Sequence, residues 1–221
     1  MISALSWIKH TALPLLRKIP AVITVVLILA GSWLMLLLTL PYTSFDRYTG
    51  FLQTKIAVYH LLHWRVSFYV HVFVSMLVLV SGLLQFNRTL LRKYPRWHRL
   101  AGKLYVLVVL LLSGPAGLVM AFYANGGWPA RTGFVLLALS WLTTTALAWR
   151  YALQRKWQLH GNMMTRSYAL TLSALTLRGM IYCIAVLRIN ISPVAAYVFV
   201  AWASWVLNWL IAEWMIKTRG E

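Results

Sequence analysis

Carboxylates are almost missing from this chain. Of its 221 residues only Asp46, Glu213 and Glu221 are acidic, against 21 lysines and arginines. That scarcity excludes paired-carboxylate hydrolysis and a carboxylate relay carrying protons across a bilayer, and so argues against a proton-coupled transporter of the usual kind. Cysteine is reduced to Cys183, inside an apolar run, so neither a disulfide nor a thiolate metal site can be assembled. No HExxH, glycine-rich phosphate loop or EF-hand spacing occurs. Any redox chemistry must therefore run through the histidines and a bound group.

What is abundant is apolar surface. Hydrophobic residues make up 61% of the chain and charged ones 11%, with a mean hydropathy of +0.72, far outside the range of soluble domains. The chain is an integral membrane protein, expected in the bacterial cytoplasmic membrane. Its 12 Trp and 11 Tyr gather near the ends of the apolar runs, as in interfacial aromatic belts. A formal charge of +18 would suit a nucleic-acid binder, but the bases sit in short loops with no soluble basic module, so no nucleic acid is expected as a partner. Anionic lipid headgroups account for the same excess.

The expected fold is all-α, a single bundle of six transmembrane helices over 19–221, after an interfacial segment at 1–18. The spans fall at about 19–40, 66–86, 100–124, 132–149, 164–187 and 193–216, each about 20 residues and long enough to cross roughly 30 Å of hydrocarbon. The first is read as an uncleaved span rather than a secretion signal. The stretch Leu83 to Tyr105 holds Arg88, Arg92, Lys93, Arg96, Arg99 and Lys103 without an acid, so its loop is expected on the cytoplasmic side, and both termini with it. A second basic loop carries Arg155, Lys156 and Arg166. On this layout 15 bases lie on the cytoplasmic side and 5 on the other. The residues Arg88, Arg92, Lys93, Arg96, Arg99, Arg155, Lys156 and Arg166 are expected to face lipid headgroups.

Two clusters of candidate site residues follow from depth. At 1.5 Å per residue, His71 lies roughly 7 to 8 Å inside the outer boundary and Arg178 roughly 15 Å deep, while His98 and His160 sit at the inner boundary. Arg178 has no acid at matching depth. It meets either an exogenous anion or dipole, such as a haem propionate, a quinone carbonyl or a lipid phosphate, or else backbone carbonyls and Ser173, Thr176, Ser204 or Asn208. His98 and His160 are candidates to ligate a haem iron or to bond lipid phosphate. His71 either ligates or bonds a hydroxyl such as Ser67 or Ser75. His60 and His63, spaced i, i+3, are expected on one helical face, where His71 would complete a three-nitrogen site. Gly114-Pro115 reads as a packing kink.

Several of these residues carry a resemblance. His71, Ser81-Gly82-Leu83-Leu84-Gln85-Phe86, Arg88, His98-Arg99 with Gly102 and Tyr105, Gly126-Gly127, Trp141-Leu142 with Thr144-Thr145, His160, Met164, Arg166-Ser167-Tyr168-Ala169-Leu170 and Leu177-Arg178 resemble a bacterial family of predicted multi-pass membrane proteins, a domain of unknown function, over about residues 50 to 190. A looser likeness, carried by His71 in one span and His98 at the start of the next, is to membrane b-type cytochromes; it implies haem b held by histidines. The functions expected are a membrane redox protein binding haem b or interacting with quinone, a non-enzymatic protein that binds lipid or packs against a membrane partner protein, or a small-solute transporter. Catalytic residues are not assigned, and His71, His98, His160 and Arg178 are the candidate cofactor-binding set.

Overall fold

The computed structural model describes residues 19–220, and every regular element among them is helical. Helix α1 (Ile19–Thr39) passes into a 3₁₀ turn at Leu40–Ser44. A second 3₁₀ turn (Gly50–Lys55) and the one-turn α2 (Ile56–Tyr59) lead into α3 (Leu62–Gln85). Then come the short α4 (Arg88–Lys93), α5 (Pro95–Phe122), α6 (Gly127–Leu153), α7 (Trp157–Val186) and α8 (Pro193–Gly220). Six of these are long and apolar enough to cross a membrane, as the chain's hydropathy requires. The interfacial segment expected at 1–18 lies outside the described residues.

The helices extend beyond the apolar runs that betray them. α3 starts at Leu62 rather than near Val66, α5 at Pro95 rather than Leu100, and α7 at Trp157 rather than Met164. Hydrogen bonding continues where hydropathy has already fallen, because basic and aromatic side chains at helix ends reach the interface without breaking the helix. Pro95 opens α5 because its missing N–H is not needed there and its φ is already helical. The basic loop before it is partly helical too: Asn87 Oδ1 accepts from Leu90 N at 3.0 Å and caps α4. At the other face the α5–α6 turn needs Gly126 and Gly127, with φ of +84° and +70°, where a side chain would be strained. We call the face bearing α4 the basic face and the other the opposite face.

α7 is the central helix, packed against α1, α3, α6 and α8. What ties it to α5 and α6 is a polar cluster in mid-bundle. Tyr105 Oη lies 2.8 Å from both Ser167 Oγ and Thr171 Oγ1, Thr145 Oγ1 is 2.6 Å from Ser167 Oγ, and Trp141 Nε1 donates to Thr171 Oγ1 at 3.0 Å. Lipid tails give helices no hydrophobic reason to associate, so packing and such bonds, at about 0.6 kcal/mol each and up to roughly 1.7, hold the bundle. Tyr168 extends the contact to α3 by donating to Leu79 O at 3.0 Å. Near the basic face Arg166 and Glu213 form a two-pronged ion pair, 2.6 and 2.8 Å, between α7 and α8. Arg166, grouped with the lipid-facing loop bases from sequence, therefore sits on a helix with its charge matched inside the protein. The other seven of that group are exposed.

Candidate functional site

The site in the opposite half is built from α3, α5 and α7, with α1 and α8 at its edge. His71, ten residues into α3, turns toward α5 where that helix is irregular. Val108–Ser113 form a π turn followed by Gly114 and Pro115. A π turn widens the helix, and Pro115 offers no N–H to Leu111 O, four residues back. Ser113 O is 2.8 Å from His71 Nδ1. Because a carbonyl only accepts, Nδ1 carries the proton, and in the neutral ring Nε2 is left with its lone pair. Among the described residues Nε2 forms no hydrogen bond. Gly117, one turn beyond, lets the imidazole lie against the α5 backbone: a Cβ there would be 2.9 Å from His71 Cε1. The expected hydroxyl partners Ser67 and Ser75 are not used, and Ser75 Oγ is buried without a bond.

Arg178 stands eight residues before the end of α7, about 12 Å along the axis. Its one hydrogen bond among the described residues runs from Nη1 to Ala174 O of its own helix, at 3.3 Å. A guanidinium has five N–H donors, so most of its capacity is unspent. The polar residues proposed as structural partners are engaged elsewhere or stand alone. Thr176 donates to Asn208 Oδ1, Asn208 and Ser173 donate to Ala169 O, and Ser204 Oγ is buried unpaired. Among the described residues no carboxylate approaches either: Asp46 accepts from Tyr48 N between α1 and α3, and Glu213 is held by Arg166. His71, Tyr42 at the end of α1 and Tyr197 on α8 are close enough to feel the Arg178 charge. His71 and Arg178, assigned to one depth cluster from sequence, thus lie within electrostatic reach of each other.

A lid of loops covers this end, and its key residue was not legible as special. Lys55, outside the spans, is only 4% exposed. Its ammonium donates to Tyr123 O and Asn125 Oδ1, both at 2.5 Å, and Asn125 Nδ2 donates to Thr54 Oγ1 at 3.1 Å. Burial, with the Arg131 charge nearby, brings the Lys55 pKa down from 10.5 to about 8. The expected three-histidine site does not form. His60 falls between α2 and α3 and is exposed, and His63 Nε2 is 2.7 Å from Tyr123 Oη. Among the described residues no three His, Cys, Asp or Glu side chains converge.

On the basic face His98, in the first turns of α5, and His160, in the first turn of α7, lie within electrostatic reach of each other. His160 Nδ1 bonds Ala148 O at 2.8 Å, which again leaves Nε2 the lone pair. His98 Nδ1 is buried with no partner. Gln85 Nε2 donates to His98 O at 3.3 Å, and its Oε1 fills the space over Gly102.

No curated protein and no solved structure matches the chain, so the cytochrome likeness gains nothing from them. The family match runs from within α3 to within α8, taking in His71, His98, His160 and Arg178 but not His60 or His63: residues 68–216 match the model described as predicted membrane protein (DUF2306), and the chain belongs to that family.

Proposed function

We propose that this protein is a membrane redox protein in which His71 and Arg178 hold a redox group presenting an oxygen acceptor, either haem b through a propionate or a quinone through a carbonyl. The observations that carry this reading are an imidazole whose Nδ1 is engaged by the Ser113 carbonyl and, within electrostatic reach of it, a guanidinium with one hydrogen bond and no acid partner among the described residues. An intramembrane cation is costly unless something answers its charge. A bound group bearing oxygen would answer it here. For haem b the donor set fits: Nε2 is the imidazole nitrogen that iron takes, its Nδ1–H already anchored to a carbonyl, and Arg178 matches a propionate. When bound, haem would supply one-electron transfer. For a quinone, Arg178 would donate to a carbonyl and Nε2 would accept from the hydroxyl of the reduced form.

The test is the absorption spectrum of detergent-purified protein, oxidised and dithionite-reduced, with solvent extraction of the same sample. A Soret band lost in His71→Ala assigns haem. A flat spectrum with quinone in the extract, depleted in Arg178→Ala, assigns quinone. A flat spectrum with a quinone-free extract would overturn the redox reading.

A second, non-enzymatic reading rests on the basic face. Arg88, Arg92, Lys93, Arg96, Arg99, Arg155 and Lys156 are exposed there, and among them Leu91, Tyr94 and Trp97 are 50%, 57% and 64% exposed. Apolar and basic groups side by side suit the headgroup layer, where each base contributes about 1 kcal/mol toward anionic lipid. Retention of phosphatidylglycerol through purification, weakened when Arg92 and Lys93 are both changed to Gln, supports it; unchanged retention would count against it.

A further inference from the structure

α7 changes character along its length. In the half nearer the basic face Met164, Thr165, Ser167, Tyr168, Leu170, Thr171 and Ser173 are buried. From Arg178 outward the cover stops: Arg178 and Gly179 are exposed, as are Ile181 at 44% and Tyr182 at 68%. A Cβ built on Gly179 meets nothing within 4 Å. Arg178, Ile181 and Tyr182 are spaced i, i+3, i+4 and so share one face of the helix. Tyr42 from α1 and Tyr197 from α8 still come within electrostatic reach of the guanidinium. The result is an exposed helix face that carries a cation with a single hydrogen bond among the described residues.

We infer that this face is the lateral approach of a long-tailed quinone, whose head reaches Arg178 and His71 while its tail remains in the lipid. The inference rests on the redox reading and selects between its two groups. The occupant must bring an oxygen acceptor to a cation about 12 Å from the helix end and must be apolar elsewhere. A phospholipid does not meet this requirement, because its phosphate belongs at the helix end and would have to sink into hydrocarbon to meet Arg178. A second copy of this chain lacks the acceptor: among the described residues Asp46 is in a link and Glu213 is paired near the basic face. A quinone head is uncharged and dissolves at the depth where Arg178 waits, and its carbonyl takes the guanidinium's free donors.

The experiment uses the full chain in phosphatidylcholine nanodiscs with a decyl-tailed benzoquinone carrying a diazirine at the far end of the tail. Illumination should label α7 between Ile181 and Val186 or the facing sides of α1 and α8. An excess of the untagged tailed quinone should abolish the labelling, and both Arg178→Ala and Ile181→Trp should reduce it several-fold. Competable label confined to the links at 45–61 and 123–127 would overturn lateral entry while leaving a quinone site in place. No competable label in a protein that shows a Soret band would overturn the quinone and keep the redox reading with haem. No label, no Soret band and a quinone-free extract would sink both.

Discussion

Gly117 and His71 are in contact so close that a methyl group on the glycine would fall 2.9 Å from His71 Cε1 and 3.0 Å from Nδ1. The imidazole is bonded to Ser113 O on the same helix and has little room to yield. Gly117→Val should therefore push the ring off its carbonyl, costing about 1–3 kcal/mol as overpacking does, and abolish the His71-dependent ligand signal. Gly161 is the control, since a Cβ there meets nothing within 4 Å. Gly161→Ala should be neutral or stabilise by up to about 1 kcal/mol. Thermal unfolding in detergent with the ligand spectrum or extract checks both.

Tyr105 is fully buried and shares its hydroxyl between Ser167 and Thr171. Tyr105→Phe should cost about 1–3 kcal/mol, from two interhelical bonds and the hydroxyls left unpaired. Gly82→Ala, whose new carbon would lie 2.4 Å from the Tyr168 ring and 2.8 Å from that of Tyr105, should be at least as damaging. Neither variant should alter the His71 site selectively. The check is whether ligand per folded protein stays constant while the melting temperature drops.

Lys55 makes stability depend on pH in an alkaline window. Its folded pKa of about 8 lies below its ordinary 10.5, so between these values the unfolded chain holds more protons and stability rises with pH. The cost of the buried ammonium is full below about pH 8 and gone above 10.5. In Lys55→Gln this rise should vanish. The difference in melting temperature between parent and variant at pH 7, 9 and 10.5 measures it, and a flat difference would refute the assignment.

The ion pair of Arg166 with Glu213 should show a coupling energy of about 1 kcal/mol in a double-mutant cycle with Gln at each position, since both groups are partly exposed. The coupling should fall in high salt. If the pair is inert, the α7–α8 contact near the basic face is held by packing alone.

The charge distribution predicts which face is cytoplasmic. With Cys183 replaced by Ser, a cysteine placed at Lys93 or Lys156 should react with an impermeant maleimide only from the cytoplasmic side, and one at Tyr48 only from the other. The reverse pattern would invert every assignment of side.

The class of the protein and its six spans were determined by the sequence alone, because hydrocarbon admits backbone only as helix, and the rise per residue turned position into an expected height for each polar group. Depth put His60, His63 and His71 with Arg178, and His98 with His160; the fold takes His60 and His63 out of the first group, with His60 exposed and His63 on Tyr123 Oη. Depth says nothing about which way a helix is turned. The partner of His71 became Ser113 O, at the end of the π turn that precedes Gly114-Pro115. Ser173 and Thr176 bonded elsewhere rather than to Arg178, Arg166 found Glu213, and Lys55 was buried by a link folding back on the α5–α6 turn. Each of these is a matter of azimuth around a helix axis or of a loop closing over 70 residues of chain. Such relations are decided by side-chain packing between helices, which only the tertiary structure contains.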